Sequence, residues 1–249
     1  MKRYGAEEHA RVLALDGAVV SRGAFTLGPV DVAFGSGVTA LLGANGAGKT
    51  TLIQLVVGLL PARQGSVRQH GGAAGAPMSV GYLPQDFTAP RHVRVFDYLR
   101  FIAWAKSTRD HAIEVRAISE ALEAVGLASV GRQRVGTLSG GMLRRLGVAQ
   151  ALLGSPPAIV LDEPTVGLDP VQRIDLRDLL RELGERVTVV LSTHLAEDVA
   201  SVADGVVVLR EGQAVFAGTV DELVLLDGTS ERTGAAVERG FLAAVRGSA

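Results

Sequence analysis

The chain has 249 residues, a formal net charge of −1 and no cysteine. The near balance of 25 basic and 26 acidic residues argues against a nucleic-acid binder driven by bulk electrostatics, and the missing cysteines remove disulfides, thiolate nucleophiles and cysteine-based zinc sites. With 47% hydrophobic residues but only 4% aromatics, a core must be built mainly of Ala, Val and Leu.

The N-terminal stretch, with Lys2, Arg3, Glu7 and Glu8, carries no apolar run and does not read as a secretory signal. No apolar run reaches the ~18 residues a membrane helix needs, so the chain is not expected to cross a membrane itself. Val12–Leu15, Val30–Phe34 and Val38–Leu42 read as strands between glycine-rich turns. A glycine-rich loop follows, then a helix over Thr50–Leu59 closed by Pro61. Gln69–Pro77, rich in Gly and Ala, reads as a loop tip, and Val80–Leu83 as a short strand. From Val93 to Ala128 the apolar spacing turns helical, through Val95, Leu99, Ile102, Ile113, Ala117 and Leu122. Ser139 caps a helix over Met142–Leu153. Ala158–Leu161 is wholly apolar, as in a strand buried on both faces of a parallel sheet. Pro170 opens another helix, Thr188–Ser192 and Val206–Leu209 are strands, and Thr219–Leu226 is a short helix. After Asp227 the signals fade, and a weakly packed or dimer-contacting tail is expected over 227–249. Strands alternating with helices imply a mostly parallel sheet, and the helical block between Gln85 and Leu153 reads as a subdomain inserted at about 86–154.

Gly43-Ala44-Asn45-Gly46-Ala47-Gly48-Lys49-Thr50, between an apolar strand and a helix, fits a phosphate-binding loop. Glycines let backbone N–H groups converge on phosphate oxygens, and the following helix points its positive end at the same anion. Lys49, one of three lysines in the chain, adds a mobile charge, and the Thr50 hydroxyl suits Mg²⁺. On its own this motif says nucleotide binding and nothing about transport. The strand Ala158–Leu161 then delivers Asp162 and Glu163 to the edge where ligands sit in open α/β sheets. Asp162 is the expected holder of Mg²⁺ and Glu163 the expected general base toward the attacking water.

Leu138-Ser139-Gly140-Gly141-Met142-Leu143-Arg144-Arg145 resembles the signature motif of ABC transporter ATPases. Other motifs of that family stand in order: Gln85 in Gly81-Tyr82-Leu83-Pro84-Gln85 resembles the Q-loop, Val166-Gly167-Leu168-Asp169 the D-loop, and His194 in Leu191-Ser192-Thr193-His194 the switch histidine. The other histidines, His9, His70, His92 and His111, read as structural or surface residues. The resemblance covers roughly residues 11–226. It implies an α/β P-loop NTPase fold with a mostly parallel sheet, antiparallel N-terminal β strands and an inserted helical subdomain, all within an ATPase domain at 1–226. It also implies a head-to-tail dimer, preferably of identical chains, with ATP between one chain's Gly43–Thr51 and the other's Ser139, Gly140 and Gly141, and with Asp169 at the interface. In that scheme Glu163, His194 and Gln85 act on the phosphates, and Mg²⁺ is held by Thr50, Gln85 and Asp162.

Two residues depart from the family pattern. Met142 stands where the signature usually has Gln, and no aromatic residue stands upstream of the phosphate loop where the family stacks adenine. Arg22, through its guanidinium plane, or Phe25 is left to face the base. The resemblance further implies a separate membrane-spanning permease at the cytoplasmic face of the membrane, and no nucleic-acid partner. A short helix of that permease would enter a groove whose candidate residues are Phe87, Phe96, Tyr98, Leu99 and Phe101. The runs Tyr82–Phe87, Met142–Arg145 and Ser192–His194 resemble bacterial drug-exporter subunits, so export is the expected direction. A P-loop kinase for small molecules does not account for Leu138–Gly141, and a ribosome- or DNA-directed ATPase would need a second site set or a heptad array.

Overall fold

The protein is described here by a computed structural model covering residues 11–69, 79–106 and 111–247. A three-stranded antiparallel sheet is built from β1 (Arg11–Arg22), β2 (Phe25–Gly35) and β4 (Gln64–Gln69), with β1 in the middle. The larger sheet takes β3 (Val38–Leu42), β5 (Val80–Leu83), β6 (Ala158–Leu161), β7 (Thr188–Thr193), β8 (Gly205–Arg210) and β9 (Gln213–Thr219). Its order is β5-β6-β7-β3-β8-β9, parallel throughout except for β9, which returns antiparallel to β8.

The period of two decides which face each residue serves. Ile159, Leu161, Val189, Leu191, Val206 and Val208 point into one core, together with Ala40 and Leu42. Ala158, Val160, Val190, Val207, Leu209 and Leu41 point into another, beneath the antiparallel sheet. Covering both faces is why these strands read as unbroken apolar runs. Each such Val, Leu or Ile contributes about 1.5–3 kcal/mol by leaving water.

Helix α1 (Lys49–Val56) packs into the core beneath the antiparallel sheet. Between β5 and β6 lie α2 (Val95–Ala105), α3 (His111–Ala124) and α4 (Gly140–Leu152), with two short 3₁₀ turns between α3 and α4. The Ser139 side chain caps α4 by accepting the Met142 N–H, as its sequence position predicts. Lys106 at the end of α2 donates to the carbonyls of Gln150 and Leu153 at the other end of α4, where a cation also suits the helix dipole. Burial lowers the Lys106 pKa. After β6 come α5 (Pro170–Gly184), α6 (Ala196–Val202), α7 (Val220–Leu225) and α8 (Gly234–Arg246). Pro170 opens α5 with Asp169 as its cap, and Thr219 and Glu222 form a capping box on α7. Among the described residues no helix is long and apolar enough to cross a membrane.

Several expectations need correction. The helix from Thr50 ends at Val56 rather than Leu59, because Gly58 takes φ +76° and lets the Leu59 and Leu60 N–H groups turn back to the Gln54 carbonyl. The chain after Asp227 is not weakly packed. It forms α8, whose Ala236, Val237, Gly240 and Ala244 are buried and which packs on α6 and α7. Of the groove candidates, Tyr98 and Leu99 belong to the core, Phe87 and Phe96 pack partly buried against it, and Phe101 is 61% exposed beside Trp104. Tyr98 donates to Gln150, and burial pushes its pKa up to about 12. The loop-tip reading at 70–77, His9 and His70 lie outside the described residues, as does the His111 side chain; His92 is exposed.

Candidate functional site

The parallel strands bring their C-terminal ends to one edge, and each motif leaves the sheet there. β3 runs into the loop at 43–48, β5 into Pro84-Gln85, β6 into Asp162-Glu163, and β7 into His194. A cleft of about 740 Å³ opens at that edge. The phosphate loop contributes Ala44, Asn45, Gly46, Gly48, Lys49, Thr50 and Thr51 to its wall, and Gln85, Glu163 and His194 face them. Arg22 and Phe25 line the same cleft from the turn between β1 and β2, as does Val166. Gly43 and Ala47 complete the loop from behind: the Gly43 carbonyl accepts from Lys49, and the Ala47 carbonyl accepts from the Gly212 N–H. Gly48 takes φ +108° with Leu27 and Phe25 packed against its Cα, so a side chain there meets both strain and a clash.

Three titratable groups converge in this cleft. Lys49 Nζ donates to the Gly43 carbonyl at 2.7 Å and the Ala44 carbonyl at 3.3 Å, and lies 3.6 Å from Glu163 Oε1. Glu163 Oε2 lies 3.0 Å from His194 Nδ1. Lys49 and Glu163 are 6% and 5% exposed, so their attraction acts with little screening by water.

The backbone of Glu163 is unusual. Its φ of +47° is a conformation that costs a non-glycine residue on the order of 1–3 kcal/mol. Both its peptide groups are held: its N–H donates to Ser192 Oγ at 2.8 Å, and its carbonyl accepts from the Arg144 guanidinium. The Ser192 hydroxyl donates onward to Asp162 Oδ1. Asp162, 1% exposed, has no hydrogen-bond partner for its other carboxylate oxygen among the described residues. It also raises the pKa of Tyr82, behind the larger effect of that phenol's burial.

Residues 30–166 match the family described as ABC transporter. This chain belongs to the ABC transporter family, among its ATP-binding components. It is 39% identical over 184 residues to the ABC transporter ATP-binding protein YxlF of Bacillus subtilis, spanning 74% of this chain but 62% of that relative's length. It is 32% identical over 216 residues to the linearmycin resistance ATP-binding protein LnrL of the same organism, covering 83% of this chain and 69% of LnrL. It is 38% identical over 204 residues to the sulfate/thiosulfate import ATP-binding protein CysA of Methylococcus capsulatus, covering 78% and 59%. A solved ATP-binding subunit of an ABC transporter superposes with a TM-score of 0.77 at 25% identity, covering 93% of this chain and 99% of that one. The mostly parallel sheet with its antiparallel strands and helical layer is the α/β architecture of ABC transporter ATP-binding subunits.

Not every expected site residue of this ABC transporter chain reaches the cleft. Ser139, Gly140, Gly141, Asp162 and Asp169 are absent from its lining, Asp162 being buried just past the end of β6. Ser139, Gly140 and Asp169 are exposed at the N-termini of α4 and α5, which abut each other: the Gln172 side chain of α5 lies 3.0 Å from where a Cβ on Gly141 would stand. Met142, the departure from the family pattern, packs partly buried against the core and presents its N–H to Ser139.

A divalent cation fits the donors available. Thr50 offers a hydroxyl and Gln85 an amide carbonyl on the cleft wall, and Asp162, buried next to Glu163 in the chain and not on that wall, a carboxylate oxygen, all hard oxygen donors of the kind Mg²⁺ takes. No cluster of three or more His, Asp or Glu that would hold a metal occurs among the described residues.

The sequence reading missed three supporting residues, and each had a signal. Ser192 is a hydroxyl inside the fully buried strand β7. Arg144 sits on the buried face of α4, in helical register with Gly141, Val148 and Ala151. Asp198 shares the buried face of α6 with Val199 and Val202, accepting from Thr165, Thr193 and Arg177. A polar side chain on an apolar face is the common mark.

Proposed function

We propose that this chain binds and hydrolyses ATP, pairs head to tail with a second copy of itself, and drives a separate membrane-spanning permease from the cytoplasmic face of the membrane. The observation that carries this reading is the convergence of Lys49, Glu163, His194 and Gln85 on the wall of one cleft, facing the Gly43–Thr51 loop.

The loop N–H groups and the N-terminus of α1 hold the phosphates, and Lys49 exchanges its loop carbonyls for β- and γ-phosphate oxygens. Thr50, Gln85 and Asp162 would hold Mg²⁺, which supplies charge neutralisation at those oxygens. Glu163 accepts a proton from water as the water oxygen bonds to the γ-phosphorus. The bond from that phosphorus to the β–γ bridging oxygen breaks, and ADP leaves with the bridging oxygen. His194, held by Glu163, faces the γ-phosphate. The Ser139–Gly141 turn of α4, with Ser139 and Gly140 exposed and none of the three on the wall of its own cleft, is assigned to the partner's nucleotide. Arg22 and Phe25 face the base.

The permease is assigned to the helical layer at about 86–154, a subdomain within the ATPase domain. There Phe96 lines a second cleft of about 730 Å³ with Arg94, Leu122 and Arg132. Relatives divide on direction, since LnrL is named for resistance and CysA for import. The Met142–Arg145 variant and the Tyr82–Phe87 run support export.

The test compares ATP turnover and oligomeric state in the wild type and Glu163→Gln. Turnover is expected to fall about 100-fold or more, and the variant is expected to accumulate as an ATP-bound dimer. Undiminished hydrolysis in Glu163→Gln would overturn the assignment of the base, and a monomer at saturating ATP in both proteins would overturn self-pairing.

A further inference from the structure

We propose that Arg144 is a positioning residue that fixes Glu163 and the Gln85 loop against α4, the helix whose N-terminus is the Ser139–Gly141 turn. The inference rests on Glu163 being the group that orients water, and it assigns to this chain the part that holds Glu163 in place.

Arg144 is buried, with 8% of its surface exposed, and it makes no ion pair among the described residues. Every partner is a main-chain carbonyl. Nε donates to Pro164 at 2.7 Å; Nη1 donates to Gln85 at 3.0 Å and Pro84 at 3.3 Å; Nη2 donates to Asp162 at 3.1 Å and, more closely, to Glu163. These carbonyls belong to the two chain segments that leave β5 and β6 for the cleft. Burial lowers the pKa of this arginine, against the opposing pull of the Asp162, Glu163 and Asp86 carboxylates.

A helix that only needed to pack on the sheet would do so with an apolar side chain, since a buried cation without an ion pair is costly. What the fork supplies is geometry: planar donors at fixed angles, meeting two separate loops at once. The need is visible at Glu163. Its left-handed backbone persists only if its surroundings over-determine it, and it is held by the Ser192 hydroxyl on the N–H and, on the carbonyl, by Arg144 together with the Val166 N–H at 3.3 Å. Arg144 lies one turn beyond Gly140 and Gly141. A displacement of that helix N-terminus therefore reaches Glu163 and Gln85 through one side chain, with no contact to Lys49 or the phosphate loop.

The experiment uses the full chain as wild type, Arg144→Met, Arg144→Lys and Glu163→Gln. Three quantities are read: kcat and KM for ATP, binding of a fluorescent ATP analogue, and amide hydrogen exchange across 84–86 and 162–166 in nucleotide-free protein. Arg144→Met is expected to lower kcat at least tenfold, leave KM and analogue binding within threefold, and speed exchange in both segments at least tenfold. Arg144→Lys, a point charge that cannot span both loops, is expected to recover part of kcat. Wild-type kcat with unchanged exchange in Arg144→Met would overturn the proposal. So would kcat and analogue binding falling in parallel in Arg144→Lys, which decides the matter if the Met variant does not fold. Should the wild type and Glu163→Gln both fail to hydrolyse ATP, the functional reading falls, and the exchange data alone still decide whether Arg144 holds the two segments.

Discussion

Asp198 shows how much a single side chain carries here. It is 1% exposed, and its Oδ2 accepts from Thr165 Oγ1 at 2.5 Å and Thr193 Oγ1 at 3.1 Å. Its Oδ1 accepts from Arg177, which also lies 3.8 Å from Glu197. Thr165 follows Glu163-Pro164, and Thr193 precedes His194, so one carboxylate ties together the two turns that flank the cleft. Asp198→Ala strands the Arg177 charge and two hydroxyls. The expected loss is roughly 3–5 kcal/mol of stability, measured by denaturant unfolding. Replacing Arg177 by Met in the same chain should return a good part of that loss, because no charge is then left unpaired. If the double variant is no more stable than Asp198→Ala, the pair is not the origin of the cost. Residues of this kind escape a linear reading: Asp198 follows His194 as an unremarkable acid on a short helix, and its partners come from three separate stretches of chain. Of the groups that line the cleft, Lys49 was legible from the spacing of the phosphate loop and Glu163 from an apolar strand ending in two acids, whereas His194 stood out only through the family resemblance.

At the scale of elements, legibility followed side-chain volume. The strands β3, β6, β7 and β8 are short runs built largely of Val, Leu and Ile and were readable directly, as was the short β5 (Val-Gly-Tyr-Leu). β4, with the sequence Gln-Gly-Ser-Val-Arg-Gln, is mostly exposed and owes its existence to backbone pairing with β1, which no periodicity reveals. α8 presents a helical stripe at 236, 237, 240, 241, 244 and 245, but most of it is Ala, Gly and Val. Small residues give a weak apolar signal and a close approach, and α8 uses that approach against α6 and α7. Thr233 caps it, and the Val245 carbonyl accepts from Arg210 of β8. Val237→Asp would place a carboxylate at a fully buried position of this stripe. A stability loss of at least about 3 kcal/mol is expected, read by the same unfolding experiment. A loss below 1 kcal/mol would show that α8 contributes little to the folded domain.

At the scale of the whole molecule, the groups assigned to catalysis and those assigned to pairing stand in different places. The cleft holds the phosphate loop, Glu163 and His194, whereas Ser139, Gly140 and Asp169 are exposed at the N-termini of α4 and α5. Under the proposed function this separation has a kinetic signature. With subunits dilute and ATP saturating, the observed rate should rise with the square of protein concentration, then become linear once pairing is complete. Strict proportionality down to the lowest measurable concentration would mean that a lone chain turns over by itself. A mixture of Lys49→Ala chains, which keep the outward turn, with Ser139→Ala/Gly141→Ala chains, which keep the cleft, should regain activity that neither has alone, because one composite site per mixed pair is intact. Under that function each chain would be an incomplete reagent, and hydrolysis would be metered by how often two copies meet head to tail.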